Sequence, residues 1–261
     1  MGVLNLTPDS FSDGGRFGSC AVAVDHAVAM LEAGADVIDV GGESTRPASA
    51  PVAAEVEIER VVPAIADLLR RRPGTPVSVD TSKAEVATRA LAAGACMVND
   101  VSAGRDPGMF SAVARHGAAI VLMHMRGEPR TMQRDTAYAD VVAEVHSFLA
   151  ERAAAAVAAG IPPDRVLLDP GIGFGKDVEG NLRLLAALPD LAALGHAVVV
   201  GASRKSFIGR IAGEPDPGAR LPGSLASLAG TVRVPRVIVR VHDVAETVQF
   251  LTVLAALEGA A

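Results

Sequence analysis

The sequence predicts an α/β fold, a TIM-type (β/α)8 barrel in a single domain that spans residues 1–261. The length of 261 residues suits one such barrel. Eight short apolar segments recur along the chain with helical patterns between them. Polar residues are concentrated directly after the apolar segments, whereas the helix-to-strand turns before these segments are short and have few polar residues. Eight strands and intervening helices predict a closed parallel sheet.

The apolar segments are short and rich in β-branched residues, as expected of strands that are buried on both faces. The predicted strands are GVLN (2–5), DVIDVGG (36–42), PVSVDT (76–81), CMVND (96–100), AAIVLMHM (118–125), RVLLDPG (165–171), AVVVGASR (197–204) and RVIVRVHD (236–243).

The segments between the strands carry apolar residues at three- and four-residue spacing, which is typical of helices that pack one face on a sheet. The clearest patterns cover residues 22–34, 55–71, 84–94, 138–160 and 243–257. A glycine follows a helical pattern and precedes a strand at four positions, as a helix stop with positive φ requires: Gly34, Gly94, Gly117 and Gly160. The alternative is an open doubly wound sheet, but no GxGxxG follows a strand and eight even units favour closure.

Composition limits the classes of function. A net charge of −6, 3% aromatic residues and no Trp argue against nucleic-acid binding, which needs a basic face and stacking platforms. Apolar runs such as 119–123 are too short to cross a bilayer, and no export signal is visible, so we expect a cytoplasmic protein. Cys20 and Cys96 match neither a disulfide framework nor a zinc site, and we expect both to be buried reduced thiols.

The functional site is expected at the carboxyl ends of the strands, because these ends converge on one face of a (β/α)8 barrel. Polar side chains occupy these ends in all eight units: Asn5, Glu43, Asp80, Asn99, His124, Asp169, Lys205 and His242.

Three of these side chains predict a site for a planar, nitrogen-rich heterocycle. Asp80, Asn99 and Asp169 would point into one cavity from three strands, offering two carboxylates and an amide. A carboxylate can pair with a guanidine-like ring edge, and such a site rejects rings that lack those atoms. The alternative is that these residues only cap strand-to-helix turns.

A basic cluster at the same face could hold a diphosphate, because Arg offers paired N–H donors and Lys a compact charge. Arg240 alternates with Val239 and Val241 in an apolar strand, so its charge needs a partner. The alternative is a solvated charged rim. The cluster contains Arg46, Arg204, Lys205, Arg240 and His242.

Two of three polar loops, at residues 5–15 and 41–51, have the small and hydroxyl-bearing residues of segments that close over a substrate, and the third loop spans residues 169–177. In the third loop, glycines around Phe174 would let the ring approach a flat ligand. Inert surface connections could have the same composition.

The order of these motifs resembles the dihydropteroate synthase family from residue 2 to about residue 250. The segments that carry the resemblance are NLTPDSFSDGG, DVGGESTRP, SVDTSK, VNDVSAG, LMHMRG, LDPGIGFGK, GASRKSFIG and RVHDVAETV. It implies a transferase that joins 6-hydroxymethyl-7,8-dihydropterin diphosphate to p-aminobenzoate, with Mg²⁺ accompanying the diphosphate, and releases pyrophosphate and 7,8-dihydropteroate.

The resemblance also implies roles for individual residues. It places the pterin and the catalytic residues at Asp80, Asn99, Asp169 and Lys205, between walls formed by Val101, Met123, Phe174 and Gly201. It places the diphosphate at Asn5, which is also the metal ligand, and at Thr45, Arg240 and His242. It places p-aminobenzoate at Phe11, Thr45, Arg46, Pro47, Phe174, Ser203 and Lys205.

The family resemblance also implies a homodimer. The segment 230–243 lacks the Gly-Ala that usually precedes the last strand in the family, and it carries Arg233 and Pro235 instead. The chain also begins within the first predicted strand, where family members usually carry several more residues.

Two other functions stay open, a pterin-binding paralogue without catalysis and a methyltetrahydrofolate-type methyltransferase. The methyltransferase would need neither TPDSFSDGG nor SRK.

Overall fold

The computed structural model describes residues 1–7, 16–44, 49–128 and 130–260, without the side chains of 16–19. The predicted site residues Phe11, Thr45, Arg46 and Pro47 lie outside these ranges. The strands are β1 (Gly2–Asn5), β2 (Ile38–Gly41), β3 (Val77–Asp80), β4 (Met97–Asp100), β5 (Ala119–Met123), β6 (Val166–Asp169), β7 (Ala197–Val200) and β8 (Val237–Val239).

The eight strands are parallel and pair in chain order from β1 to β8. The segment after β8 then returns to β1: Val3 N–H donates to the Val241 carbonyl at 3.0 Å, and Val241 N–H donates to the Met1 carbonyl at 3.0 Å. These bonds join the first strand to the last. The (β/α)8 barrel is therefore confirmed, and the open doubly wound alternative is wrong.

The helices in the described ranges lie between the strands and after β8. They are α1 (Arg16–Glu32), α2 (Ala54–Arg71), α3 (Ala84–Ala92), α4 (Met109–His116), α5 (Val141–Ala158), α6 (Val178–Ala186), α7 (Leu188–Ala192), α8 (Ser206–Ala212), α9 (Leu221–Ala226) and α10 (Val244–Gly259).

Helix ends follow the local sequence signals. The Asp140 carboxylate caps α5, accepting hydrogen bonds from the N–H groups of Val142 and Ala143 at 3.1 and 3.4 Å. The four predicted glycine stops are confirmed, with φ angles between +59° and +110°. These stops return the chain to the amino end of each next strand, so the longer loops lie at the carboxyl ends.

The inside of the barrel is divided into an apolar side and a polar side. Every second residue of a strand points inward. On β5, β6 and β7 the inward residues Val121, Leu167 and Val199 form a buried apolar cluster. On β2 and β3 the same alternation buries Asp39 and Ser78 instead. The polar side therefore has buried charge that needs partners.

The cysteine prediction is partly wrong. Both thiols are free, but Cys96 is exposed and Cys20 is only half-buried. Cys96 directly precedes the first residue of β4, at the amino end of the barrel. In the part of the chain that the structure describes, no helix is long and apolar enough to cross a membrane.

Candidate active site

An ion-pair network occupies the polar side of the barrel. Arg240 Nε lies 2.6 Å from Asp39 Oδ2, and Arg240 Nη2 lies 2.7 Å from Asp80 Oδ2. The Asn99 amide donates to the same Asp39 oxygen at 3.0 Å. The prediction that Arg240 needs a partner is confirmed. Burial lowers the pKa of the Arg240 guanidinium, but the negative charges of Asp39 and Asp80 raise it by more, so the net shift is upward.

The two predicted site carboxylates differ in their surroundings. Burial raises the pKa of Asp80 to about 7; Arg240 opposes this shift and Asp39 adds to it. Burial also raises the pKa of Asp169, and the charge of Lys205 opposes it. Asp169 Oδ1 accepts a hydrogen bond from the Gly171 N–H at 2.7 Å. A ligand that offers N–H donors would therefore stabilise the ionised form of both carboxylates.

Lys205 lies where β7 meets α8 and extends across the barrel mouth. Its Nζ donates to the Ile172 carbonyl and lies 4.3 Å from the centre of the Phe174 ring. Burial lowers the pKa of Lys205 to about 8, while Asp169 opposes the shift. A Cβ added at Gly201 would lie 4.0 Å from Lys205 Nζ and 3.9 Å from Arg240 Cβ, so the predicted wall at Gly201 faces both cations.

The other predicted ring-pocket walls come together in one apolar cluster. Val101, Met123 and Phe174 pack with Met125 and Met132. Thioether and aromatic side chains present soft, polarisable surfaces that suit a flat ring. The sequence does not predict Met125 or Met132, although both lie in the segment after β5.

The other predicted residues within the described ranges lie around this centre. Ser203 Oγ is 3.0 Å from His242 Nδ1, and the His242 N–H donates to the same oxygen at 3.3 Å. Arg204 does not join the Arg240 network, since its guanidinium pairs with Asp243, with Nε 3.0 Å from Oδ2. Asn5 ends β1 beside Gly41.

Two dispersed sets of residues are brought together by closure of the sheet. Asp39, Asp80, Asn99 and Arg240 come from β2, β3, β4 and the segment after β8. On the other side, Asp169, Phe174 and Lys205 come from β6, its loop and the start of α8. The site therefore has buried carboxylates and cations within the same mouth.

Comparison with known proteins identifies the family of this chain. The sequence model of a family described as "Pterin binding enzyme" matches residues 1–242. The dihydropteroate synthase of Synechocystis sp. is 46% identical over 258 residues, which cover 98% of this chain and 89% of that protein. The chain belongs to the dihydropteroate synthase family. Members of this family are transferases, so the chain is an enzyme of that class.

Solved dihydropteroate synthase structures have the same fold. One from Xanthomonas albilineans with 4-aminobenzoic acid has a TM-score of 0.92 and 49% identity, covering 99% of this chain and 92% of that chain. Another from the same organism, in complex with 7,8-dihydropteroate, has a TM-score of 0.88 and 47% identity with the same coverage. The family's barrel is therefore preserved over the whole described chain.

Four buried charged residues in this dihydropteroate synthase fold are absent from the sequence-based predictions, namely Asp39, Glu57, Asp100 and Lys176. Asp39 lies between Ile38 and Val40 in an apolar strand, the same signal that identifies Arg240. Lys176 is 2% exposed and donates to several acceptors near His124. Nothing in the motif GFGKD indicates that this amine folds back into the protein.

Proposed function

We propose that the chain condenses 6-hydroxymethyl-7,8-dihydropterin diphosphate with p-aminobenzoate, which yields 7,8-dihydropteroate and pyrophosphate. One observation carries the assignment: a buried acidic ring pocket shares the barrel mouth with Arg240 and Lys205. The reaction develops positive charge on the pterin methylene carbon and negative charge on the leaving diphosphate. The carboxylates of the pocket would stabilise the positive charge, and Arg240 and Lys205 would stabilise the negative charge.

The pterin ring is assigned to the pocket between Asp80, Asn99 and Asp169. The carboxylates accept from the ring N–H groups, and the amide can both donate and accept. Val101, Met123, Phe174 and Gly201 are the proposed walls. Asp80, Asn99, Asp169 and Lys205 are proposed as the catalytic residues, because they would touch the ring or its reacting methylene.

The diphosphate is assigned to Arg240 and His242, together with Asn5 and with Thr45, which lies outside the described residues. Arg240 uses Nε and Nη2 on Asp39 and Asp80. A guanidinium has five N–H donors, so others stay available for phosphate oxygens. The carboxylates thereby hold the cation while leaving it able to bind the leaving group.

Mg²⁺ is proposed to bind at Asn5. A Cβ added at Gly41 would lie 3.7 Å from Asn5 Oδ1 and 3.8 Å from Asp80 Oδ2, so the missing side chain leaves a cradle beside an amide oxygen. Within the described ranges, no three His, Cys, Asp or Glu side chains form a metal cage. Mg²⁺ usually binds through one or two protein oxygens plus substrate phosphates, so Asn5 fits this mode. When bound, the ion would neutralise charge on the departing diphosphate.

The p-aminobenzoate is assigned to the other side of the methylene, near Phe174, Ser203 and Lys205. Phe11, Thr45, Arg46 and Pro47 are proposed to complete this site from outside the described residues. The aromatic amine is a weak nucleophile, so orienting it against a cation-like carbon contributes more than a strong base would. The Lys205 ammonium could bind the carboxylate of p-aminobenzoate or stabilise the negative charge that develops on the leaving diphosphate.

The test is a coupling assay with purified protein, Mg²⁺, the dihydropterin diphosphate and p-aminobenzoate, in which dihydropteroate and pyrophosphate are followed together. We expect equal, Mg²⁺-dependent release of both products. Lys205→Ala is expected to lower turnover far more than it lowers the melting temperature. Saturable binding of the pterin diphosphate without product would contradict the proposal and favour a binding-only paralogue.

A homodimer is proposed for the assembly. α9 and α10 form an apolar groove lined by Leu221, Leu225, Phe250, Val253, Leu254 and Leu257. Val253 and Leu257 are 55% and 65% exposed, which is unusual for large apolar side chains that lie side by side. A second copy of the chain would cover them. The single domain of residues 1–261, the cytoplasmic location and the lack of nucleic-acid binding stay predictions.

A further inference from the structure

The loop of residues 171–175, named here the glycine loop, is held by side chains at every carbonyl. Four of these contacts measure 2.9 to 3.0 Å, and the fifth is the Lys205 contact described above. The donor and acceptor pairs are Lys176 Nζ to Gly171 O and to Phe174 O, Lys205 Nζ to Ile172 O, Gln133 Nε2 to Gly173 O, and Tyr138 Oη to Gly175 O.

Lys176 makes the largest share of these contacts. Its Nζ also lies 3.0 Å from His124 Nδ1 and 3.2 Å from the His124 carbonyl oxygen. Burial and the nearby Lys176 charge lower the pKa of His124 to about 3, so the imidazole is neutral and Nδ1 can accept. One ammonium group thus ties both ends of the glycine loop to the end of β5.

The same contacts exclude a direct role in substrate binding. Burial lowers the pKa of Lys176 to about 7, and Asp169 opposes the shift. The four acceptors around Nζ are enough for the three hydrogens of the ammonium form and for the two hydrogens of the neutral amine. With 2% exposure, Lys176 has neither a free donor nor a surface to offer a ligand.

The glycine loop is in direct contact with its neighbours. A Cβ added at Gly171 would lie 1.9 Å from the His124 carbonyl oxygen. A Cβ added at Gly173 would lie 2.8 Å from Lys205 Cδ. Since the loop has no space on either side, a shift of its backbone must move the Lys205 side chain.

We infer that Lys176 is a positioning residue, which holds the glycine loop so that the Ile172 carbonyl and the Phe174 ring fix the Lys205 ammonium. This inference rests on the proposed function, because Lys205 and Phe174 are assigned to the aromatic amine there. Lys176 acts through the loop and touches no substrate.

The kinetic test compares Lys176→Met with the wild type. Since a misplacement of about 1 Å at a reacting centre can cost about 100-fold, we expect kcat/KM for p-aminobenzoate to fall about 10- to 100-fold, with a higher KM. Binding of the pterin diphosphate should weaken less than binding of p-aminobenzoate. Asp169, Phe174 and Lys205 contact the glycine loop, whereas Asp80, Asn99 and Arg240 are held by other strands. A purely structural role would reduce the active fraction, which lowers kcat but leaves KM unchanged.

A spectroscopic test does not depend on turnover. The chain contains no Trp, so Phe174→Trp places a single tryptophan on the glycine loop, and excitation at a wavelength that tyrosine does not absorb selects its emission. Adding Lys176→Met should shift its emission to the red and increase acrylamide quenching, because the loop is released towards solvent. Arg236→Met is the control, and it should alter neither signal. Arg236 lies just before β8, and its guanidinium donates to the carbonyl of Gly195, just before β7, at 2.8 Å.

The outcomes separate the two proposals. If the wild type turns over substrate but Lys176→Met alters neither KM nor the emission of the introduced tryptophan, the positioning role is wrong. If the wild type is inactive but the emission still shifts, the loop contacts hold and the proposed function fails. If the methionine variant does not fold, Lys176→Gln carries the same tests with smaller expected effects, because an amide has two N–H donors for the four acceptors around the lysine amine.

Discussion

Arg240 Nε lies 2.6 Å from Asp39 Oδ2, although 201 positions separate the two residues in the chain. Asp39 is fully buried and its other oxygen has no hydrogen-bond partner among the described residues. The pair links β2 to the segment after β8. It holds the cation that is proposed to receive the diphosphate.

Asp39→Ala should destabilise the fold by about 3 kcal/mol, because it removes one of two carboxylates around a largely buried guanidinium. Urea denaturation measures the change. Asp25→Ala is the matched control, since it breaks an exposed ion pair with Arg71, and we expect it to be nearly neutral. Equal losses in the two variants would show that burial of the Asp39–Arg240 pair has no special weight.

Asp80 should make the stability of the fold depend on pH. Burial raises its pKa to about 7 in the folded chain, above its ordinary value of 3.8. A carboxyl with a raised folded pKa stabilises most below its unfolded pKa, and this contribution is lost as the pH rises through the folded value. The free energy of unfolding of the wild type, relative to Asp80→Asn, should therefore fall between about pH 4 and pH 7. Denaturation series at closely spaced pH values measure this difference, and a flat difference would contradict the assigned environment.

Gly171 and Gly195 provide a matched pair of glycines in the left-handed region, with φ of +68° and +92°. Gly195→Ala should cost about 1 kcal/mol, since no atom of the described residues lies within 4 Å of the added Cβ. Gly171→Ala should cost more than about 4 kcal/mol, because the Cβ would meet the His124 carbonyl oxygen. Thermal and urea unfolding of both variants test this, and similar costs would rule out the close approach of the glycine loop to β5.

The proposed dimer predicts that Leu257→Asp gives a monomer, because a charge in the α9–α10 groove opposes burial by a second copy. Sedimentation velocity over a range of protein concentrations measures the assembly. Leu182→Asp is the control, since Leu182 is 47% exposed on α6, outside the groove. A wild type that stays monomeric at high concentration would contradict the dimer directly.

The alternation of residues along the strands accounts for much of what the sequence predicts. Asp80, Asn99 and Asp169 end apolar strands, so their positions at one mouth follow from the fold class alone. Arg240 follows from a charge between two valines, and the same reasoning applied to Asp39 would have predicted its partner. These contacts can be predicted from the sequence because strand geometry fixes the direction of each side chain.

Loop residues could not be predicted in the same way. Arg204 and Lys205 are adjacent in the sequence, but Arg204 takes a φ of +60° and turns its guanidinium to Asp243. Lys176 follows a glycine-rich turn whose path depends on acceptors supplied by β5. In both cases the direction of the side chain is set by tertiary contacts rather than by a repeating backbone geometry.

The wide sequence separation of the central ion pairs also bears on how the chain is made. Asp39 and Asp80 emerge from the ribosome long before Arg240, which follows them by 201 and 160 residues. Until then these carboxylates have no guanidinium partner, and burying them without one is costly. We therefore expect the two carboxylates to stay hydrated in a nascent chain that lacks the last strand. This half of the barrel would close only after Arg240 has been added. We therefore expect the ion pairs at the barrel mouth to form late in biosynthesis, after the last strand has emerged.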